Sequence, residues 1–595
     1  MTGAVWRVLP DVRAIDRVFD YRPPPGDPVP VGTIVRVPLH GRRVRGWLVA
    51  VGADTDAPDQ QLLAVHTVVS AGPPAAVVEL CRWAAWRWAG PWATFLRAAS
   101  PPNLVDPGEP PPEPDLAVHP PADAPLPLPD GNGPGLVIWP PARDRAALML
   151  SLLAPEGSTI VLAPDRDEQR HLAAAARAEG RAVIELRGDD PDAVRTAAWR
   201  EARRGAGIII GGRVAVFAPV PDLQAVVVLD DADEALSDER APTWHARDVA
   251  HERARRADAA LRIVSPAPTV DAAVLSTATT SLPDATRRAG WPLVEVVDRR
   301  AEPPGLGLLG ERLATALHTV LAEERRALCV LNRRGRARLL ICRQCGAPAR
   351  CEQCGTAMVE TDGGLACPRG DETRPFVCAE CGAGDLRAAR PGVKRLRDDL
   401  AALLPRARVS VAERGVDADD DADVVVGTEA ALHGDPARGR PVGLVAFLDF
   451  DQELLAPRFR ADEQALWLLV RAARLCGDRR SGSRVLVQTR VPDHEVLAAA
   501  RTGDPMPVVD ADTARRRTLA FPPFGGLAAL DGDDAAVAAA IPLLRAQLEV
   551  LGPVDGRALL RAASPTALAN ALAATDLTPA RALGRLRVDV DPQRV

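Results

Sequence analysis

The chain has 595 residues, 47% of them hydrophobic, so it is long enough for several domains with sizeable buried cores. Its formal net charge of −6 excludes a general positive field for nucleic acid and restricts DNA contact to local basic patches. The N-terminal sequence lacks the apolar segment of a signal peptide, and no apolar run reaches the roughly 18 residues of a membrane span. We therefore expect a cytoplasmic protein without a membrane segment.

The chain begins with a predicted β-rich domain over residues 1–104. Apolar runs flanked by glycine and proline indicate strands, as in VGTIVRVPL (31–39) and VRGWLVAVG (44–52). A helical pattern follows over residues 75–99. Residues 105–134 are dense in proline and acidic side chains, which predicts an extended linker and a domain boundary.

Two α/β lobes are predicted on either side of a cysteine-rich segment. Runs of about four to six apolar residues alternate with helical stretches, which is typical of buried parallel strands in a doubly wound sheet. The first lobe covers 135–298 and includes STIVLAP and AVVVLDDAD. The second lobe covers 299–340 and 390–490 and includes DVVVGT and GLVAFLDFD. A C-terminal α/β domain over 491–595 completes a multidomain α/β fold.

Seven of the ten cysteines lie in the predicted insertion, residues 341–389. They form three Cys-x-x-Cys pairs and one single cysteine, namely Cys342, Cys345, Cys351, Cys354, Cys367, Cys378 and Cys381. This spacing favours structural zinc in a reducing compartment over a disulfide framework. A fourth pair would begin at Cys367, but Gly370 occupies the position of its second cysteine. One zinc site is therefore predicted to be complete, and Asp371, His433 or water are candidates for the missing ligand of a second.

The two-lobe pattern is typical of nucleic-acid motors, in which a glycine-rich loop ending in Gly-Lys-Ser/Thr wraps the phosphates after the first strand. Here GLVIW (135–139) is followed by PPARDRAALML, which contains neither glycine nor lysine. Arg145 offers charge without the compact ammonium of a lysine, and Pro140 and Pro141 remove two amide donors. The loop is lost, which argues against ATP and Mg²⁺ as cofactors, and no catalytic residue is predicted.

Several segments together resemble the PriA family of replication restart proteins. They include VFDY (18–21), LNRRG (331–335) directly before the cysteines, VVVGT (424–428), FLDFDQELLAPRFRADEQ (447–464) and FPPF (521–524). The resemblance runs nearly from end to end. It implies a 3′-DNA-end-binding domain, two RecA-like helicase lobes with a zinc-binding insertion, and a C-terminal domain. It also implies partners: branched or forked DNA with a 3′ end, other primosome proteins and the replicative helicase loading machinery.

The resemblance also assigns roles to individual residues. It implies that Phe19, Asp20 and Tyr21 form the pocket for the 3′ end of a nascent strand, where an aromatic ring stacks on the terminal base and the carboxylate accepts from the 3′-OH. It further implies that the outer cysteine pairs share one zinc ion, and that the inner cysteines share the other. The outer set is Cys342, Cys345, Cys378 and Cys381, and the inner set is Cys351, Cys354 and Cys367.

The motor motifs depart from the family pattern. The acidic box Asp-Glu-Glu-His is Asp230-Asp231-Ala232-Asp233 here, the Ser-Ala-Thr box has become residues 265–268 (SPAP), and Arg474 is a remnant of the arginine finger. The chain thus resembles the degenerate actinobacterial members of the family. We expect a restart protein without helicase activity. An active ATP-dependent 3′-to-5′ helicase with an unorthodox nucleotide site, and a zinc-stabilised DNA-binding protein outside replication, remain alternatives.

Overall fold

The computed structural model describes residues 5–594 with internal gaps. The gaps are residues 13–14, 53–61, 109–121, 130, 206, 302–307, 332–339, 362, 369, 371, 389–392, 414, 416–417, 434–439 and 555. Asp371, most of LNRRG and much of the predicted linker therefore lie outside the described residues. Among the described residues, no helix is both long and apolar enough to cross a membrane.

An antiparallel sheet and a pair of helices form the N-terminal domain. Their bounds are β1 Val5–Pro10, β2 Phe19–Tyr21, β3 Ile34–Leu39, β4 Arg42–Gly52, β5 Thr67–Ser70, α1 Ala75–Arg87 and α2 Trp92–Ala99. The sheet order is β2-β1-β4-β3-β5. The helical pattern predicted over 75–99 is broken because Ala89 has a φ of 48° and Pro91 precedes the second helix.

The first lobe is a parallel sheet covered by helices. Its elements are β6 Gly135–Ile138, α3 Ala146–Leu152, β7 Ser158–Leu162, α4 Arg166–Ala178, β8 Val183–Leu186, α5 Asp192–Arg203, β9 Gly207–Gly211, β10 Leu223–Leu229, α6 Ala246–Ala257, β11 Ala260–Ser265, α7 Val270–Leu275, β12 Ala278–Ser281 and α8 Asp284–Ala289. The strand order is β12-β6-β11-β10-β7-β9-β8. Every residue of β6 and β7 is buried, as expected when helices cover both faces of a parallel sheet.

The second lobe repeats this architecture. Its elements are β13 Leu293–Asp298, α9 Glu311–Ala322, β14 Arg326–Val330, α10 Val393–Leu403, β20 Val409–Ala412, β21 Val424–Gly427, β22 Val442–Phe447, α11 Asp451–Leu454, α12 Ala461–Cys476 and β23 Arg484–Thr489. The order is β13-β23-β22-β14-β21-β20, with parallel pairing. Because β13 pairs with β23, the sheet of this lobe already begins at Leu293, inside the range 135–298 assigned to the first lobe from sequence.

The cysteine-rich insertion and the C-terminal domain complete the fold. The insertion contains β15 Leu340–Cys342, β16 Val359–Thr361, β17 Gly364–Ala366, β18 Thr373–Arg374 and β19 Leu386–Ala388. The last part of the chain contains α13 Glu495–Thr502, α14 Met506–Thr518, β24 Gly526–Gly532, α15 Asp534–Arg545, β25 Glu549–Val554, β26 Arg557–Ala562, α16 Pro565–Ala574, α17 Thr578–Arg581 and β27 Leu586–Val590. Both α13 and α14 pack on α12 of the second lobe, and the antiparallel sheet β25-β26-β24-β27 follows them.

The N-terminal and C-terminal domains contact each other. Arg87 at the end of α1 pairs with Asp591 beyond β27, with 2.5 Å between Nη2 and Oδ2. The indole of Trp86 donates to the side-chain oxygen of Asn570 in α16 at 3.1 Å. The tryptophan-rich helix therefore packs between domains, with Trp88 buried in the core.

Largely buried charged side chains join the two lobes to α14. This inter-lobe cluster consists of Asp271, Arg460, Glu463, Asp512 and Arg516. Arg460 of the second lobe lies 2.6 Å from Asp271 of the first lobe, and Arg516 of α14 lies 2.8 Å from Glu463. Glu463 also accepts from the backbone N–H of Val270 in the first lobe at 2.6 Å. These contacts join the two lobes to each other and to α14.

Asp271 is held ionised by arginines from both lobes. Burial alone would raise the pKa of its carboxyl. The charges of Arg460 and Arg247 outweigh burial and hold the pKa of Asp271 well below its usual range. The stabilisation that this depressed pKa represents is present above the unfolded pKa and is lost as the pH falls.

Replacement of Asp271 by alanine leaves Arg460 without its main carboxylate partner across the lobe interface. Removal of one partner of a buried pair costs about 3–5 kcal/mol, so we expect a decrease of this size in the free energy of unfolding at neutral pH. Urea denaturation followed by tryptophan fluorescence measures it. The difference in the free energy of unfolding between Asp271→Ala and the parent should be largest above roughly pH 4 and should decrease as the pH falls below that value.

The matched control is Glu79→Ala, which removes an exposed pair with Arg82 at 3.9 Å. An exposed pair contributes little, so this variant should stay within about 0.5 kcal/mol of the parent. Equal effects of the two substitutions would contradict a structural role for the inter-lobe cluster.

Candidate functional site

The predicted DNA-end pocket lies on β2, an edge strand of the N-terminal sheet. Asp20 is paired with Arg7, the residue opposite it on the adjacent strand β1. The carboxylate and the guanidinium are 3.7 Å apart, and both side chains are partly exposed. Phe19 is partly buried, and the guanidinium of Arg17 lies 5.6 Å from the centre of its ring. Tyr21 is only 3% exposed, and its hydroxyl donates to the carbonyl of Pro38 at 3.0 Å. The structure thus places Phe19 and Asp20 at the surface and Tyr21 in the core.

Arginines also lie on β3 and β4 of the same sheet. Arg36 of β3 is directly opposite Arg45 of β4. Arg36, Arg42 and Arg43 are exposed. The N-terminal sheet therefore carries exposed basic side chains despite the negative net charge of the chain. Guanidinium groups are suited to binding phosphate oxygens.

The outer cysteine pairs come together as one four-sulfur cluster. The sulfur atoms of Cys342, Cys345, Cys378 and Cys381 all lie within 4.8 Å of one another. The Cys342–Cys381 and Cys345–Cys378 sulfur distances are 3.6 and 3.5 Å. Burial would raise the pKa of the Cys342 thiol, but amide donors from Cys345 and Gln344 help to lower that pKa to about 7. Four sulfurs at these distances fit a tetrahedral zinc ion.

The inner cysteines form a separate three-sulfur cluster. The sulfurs of Cys351, Cys354 and Cys367 lie within 4.8 Å of one another. A carboxylate oxygen of Glu372 lies 2.9 Å from the sulfur of Cys351. His433, one of the candidates for a fourth ligand, contacts Arg471 and Glu429 instead. Glu372 is not among the ligands predicted from the sequence, although it lies two positions after Gly370.

The expected phosphate-binding loop after β6 is closed by its own hydrogen bonds. The N–H of Ala142 donates to the carbonyl of Gly290 at 3.2 Å, and the N–H of Arg143 donates to the carbonyl of Pro140 at 3.4 Å. The N–H of Ala146 donates to the carboxylate of Asp144 at 3.1 Å. A phosphate loop needs free amides that converge on the ligand. Three amides of this segment, those of Ala142, Arg143 and Ala146, are already bonded within the protein.

Arg145 lines the cleft between the two lobes. Its guanidinium lies 2.8 Å from Asp230 and 2.9 Å from Glu168, and its side chain is 8% exposed. Arg474 of the second lobe reaches the other oxygen of Asp230 at 2.6 Å. Burial would raise the pKa of Asp230, but the charges of Arg145 and Arg474 hold that pKa below its usual range. The carboxylate at the end of β10 is thus neutralised from both sides.

The other carboxylates of the acidic run also have arginine partners. Asp231 accepts from the hydroxyl of Thr269 and lies 3.5 Å from Arg247, and burial raises its pKa to about 6. Asp233 is paired with Arg471 of the second lobe at 3.0 Å. One oxygen of Asp231 is buried without a hydrogen-bond partner among the described residues, but Asp230 and Asp233 are engaged by arginines. The segment after β6 also contains neither glycine nor lysine, so the residues present do not fit a Mg²⁺–nucleotide complex.

Two family models match segments near the two ends of the chain. The family model described as 3′DNA-binding domain (3′BD) matches residues 7–101, and the one described as Primosomal protein N C-terminal domain matches residues 517–593. The chain is 30% identical over 594 residues to the probable replication restart protein PriA of Mycobacterium tuberculosis, covering 91% of this chain and 89% of that protein.

More distant similarities cover less of the chain. The replication restart protein PriA of Bacillus subtilis is 27% identical over 354 residues, which are 56% of this chain and 44% of that protein. A solved structure of RecG bound to a three-way DNA junction matches with a TM-score of 0.35 and 9% identity, covering 65% of this chain and 47% of that one.

Proposed function

The chain belongs to the family of the replication restart protein PriA, and we propose that it recognises forked DNA and starts primosome assembly there without unwinding the duplex. The observation that supports this proposal is that Asp230 forms ion pairs with Arg145 and Arg474. These charged side chains of the protein itself occupy the cleft in which a nucleotide would bind. Its partners in this role are forked DNA with a 3′ end, other primosome proteins and the machinery that loads the replicative helicase. Such a role places the protein in the cytoplasm with the chromosome.

Recognition of the DNA end is assigned to the surface of β2. Phe19 offers a ring for stacking on the terminal base, and Asp20 offers an acceptor for the terminal 3′-OH. Tyr21 contributes by fixing the strand in the core through its hydrogen bond to Pro38. The exposed arginines of β3 and β4 hold the backbone phosphates without reading sequence.

The lobes are assigned a scaffolding role. ATP-driven unwinding requires the lobes to close around a nucleotide and to open again. Three features oppose such a cycle: the self-bonded loop after β6, the neutralised Asp230 and the inter-lobe cluster. A pair of lobes held at one separation is suited to presenting fixed surfaces to DNA and to partner proteins.

The four-sulfur cluster is assigned to a structural zinc ion. Ligation by cysteine sulfur alone leaves no open position for a substrate, which is typical of structural rather than catalytic zinc. Cys342 and Cys345 come from the start of the insertion, and Cys378 and Cys381 come from its end. One ion held by both pairs closes the insertion upon itself.

The catalytic expectation concerns ATP turnover. Purified full-length protein should release no phosphate from ATP above background when forked DNA is added, because Asp230 is engaged by two arginines. A phosphate-release assay at saturating DNA measures this. Turnover that disappears in Asp230→Asn but persists in Asp222→Asn, an exposed aspartate before β10, would establish the active-helicase alternative instead.

The DNA-end expectation concerns the chemistry of the 3′ terminus. Forks ending in a 3′-OH should bind about 10-fold more tightly than forks ending in a 3′-phosphate, because Asp20 repels the added charge; this corresponds to about 1.4 kcal/mol. Fluorescence anisotropy with the two substrates measures the ratio. Asp20→Ala should bring the ratio close to one, whereas Asp27→Ala in an exposed loop should preserve it. Equal affinities in the parent would remove the basis for this pocket.

The metal expectation concerns the four-sulfur cluster. A zinc ion bound by four thiolates contributes roughly 10–16 kcal/mol to the folding of a small domain and should resist mild chelation. Metal analysis of the full chain after mild chelation should therefore detect at least the zinc ion of this cluster. Cys345→Ser should lose that ion, and Cys329→Ser, a buried cysteine of β14 outside both clusters, should retain it. Absence of zinc from the parent would overturn the assignment.

A further inference from the structure

Glu372 is placed at the incomplete cluster by the backbone. It precedes β18, and its carbonyl accepts from the N–H of Cys367 at 2.8 Å. The same hairpin pairs Ala366 with Thr373. Cys367 and Glu372 therefore face each other across two antiparallel strands at a fixed separation.

The carboxylate of Glu372 points toward the other side of the cluster. One oxygen lies 2.9 Å from the sulfur of Cys351. The N–H groups of Glu352 and Gln353, within the turn between Cys351 and Cys354, donate to this carboxylate at 3.1 and 3.3 Å. The side chain is thus held at the metal-binding turn and not merely near it.

We propose that Glu372 is the fourth ligand of a second zinc ion, in a site formed by three cysteines and one glutamate. The inference rests on the proposed zinc-binding role of the insertion. A carboxylate oxygen is an ordinary zinc ligand, with a bond of about 2.0–2.2 Å. Three thiolates and one carboxylate also carry the same total charge as four thiolates.

Ligation requires a rotation of the Glu372 side chain, because its carboxylate contacts Cys351 but does not lie within 4.8 Å of all three cysteine sulfurs. Bonds of about 2.3 Å to sulfur and 2.0 Å to oxygen place the two atoms about 3.5 Å apart around a tetrahedral ion. The present 2.9 Å between Glu372 and Cys351 is the distance of a hydrogen bond from thiol to carboxylate. Binding of zinc would displace that proton to solvent, and the carboxylate would turn from Cys351 toward Cys354 and Cys367 to complete the tetrahedron.

Gly370 provides a way to test the site without emptying it. A Cβ atom at this position meets no other atom within 4 Å, so a cysteine fits there. Gly370→Cys adds a thiol at the position expected for the second member of the fourth cysteine pair. The double variant Gly370→Cys with Glu372→Gln exchanges one proposed ligand for another.

The experiment measures zinc in the full chain by metal analysis and titrates it with a chelator that competes for zinc. The parent should hold two zinc ions. Glu372→Gln should lose more than about 100-fold in affinity for one of them, since removal of a group that only hydrogen-bonds to a ligand typically costs ~10–100-fold. Glu352→Gln, which removes a neighbouring carboxylate, should match the parent. The double variant should again hold two ions.

Other outcomes distinguish a failure of the proposed role of Glu372 from a failure of the proposed zinc binding by the insertion. A parent that binds no zinc contradicts the zinc-binding role itself. A parent with one ion, or a Glu372→Gln protein whose two ions are as resistant as those of the parent, overturns the role of Glu372 and leaves the four-sulfur site intact. If Glu372→Gln loses both ions through misfolding, failure of the double variant to recover the second ion overturns the inference.

Discussion

A charged side chain removed from water is stable only beside an opposite charge, and the surface between the two lobes is built from such pairs. Asp271 and Arg460 belong to different lobes, and Arg516 joins them from α14. Separation of the lobes would leave several of these charges without a partner of opposite charge. The relative position of the lobes is therefore set by electrostatic pairing as well as by apolar packing, and the other sites of the molecule are arranged around it.

The same kind of pairing occurs in the cleft between the two lobes. A nucleotide cleft needs carboxylates that are free to hold Mg²⁺ and arginines that are free to reach phosphate. Here Arg145 and Arg474 both contact Asp230, so each group satisfies the other. The segment after β6 has no glycine, and the cleft is filled by ion pairs of the protein itself. These two features agree with each other, because Arg145 in that segment also neutralises the carboxylate of Asp230, which would hold the metal.

The sequence predicted the parallel strands because their apolar runs are local signals. STIVL, VVVG and VGLVAF were predicted as buried strands, and they are buried throughout. Features that depend on residues far apart in the sequence were not predicted. One is that β13 joins the sheet of the second lobe. Another is the contact between Arg474 and Asp230, which are 244 positions apart. The two cysteine sets followed from the family resemblance, whereas Glu372 escaped notice because carboxylates are common and only the folded hairpin places this one beside Cys351.

The two terminal domains of the chain are also in contact with each other. The N-terminal domain is connected to the C-terminal domain by Arg87 and Asp591, whose paired side chains are each 14% exposed. Asp591 follows the last strand of a domain whose helix α14 belongs to the inter-lobe cluster. The surface of β2 that is assigned to the DNA end is thus coupled through packed contacts to the lobes. A protein that marks a fork for assembly needs a constant geometry between its DNA contact and its other surfaces, and an enzyme that walks along DNA needs the opposite.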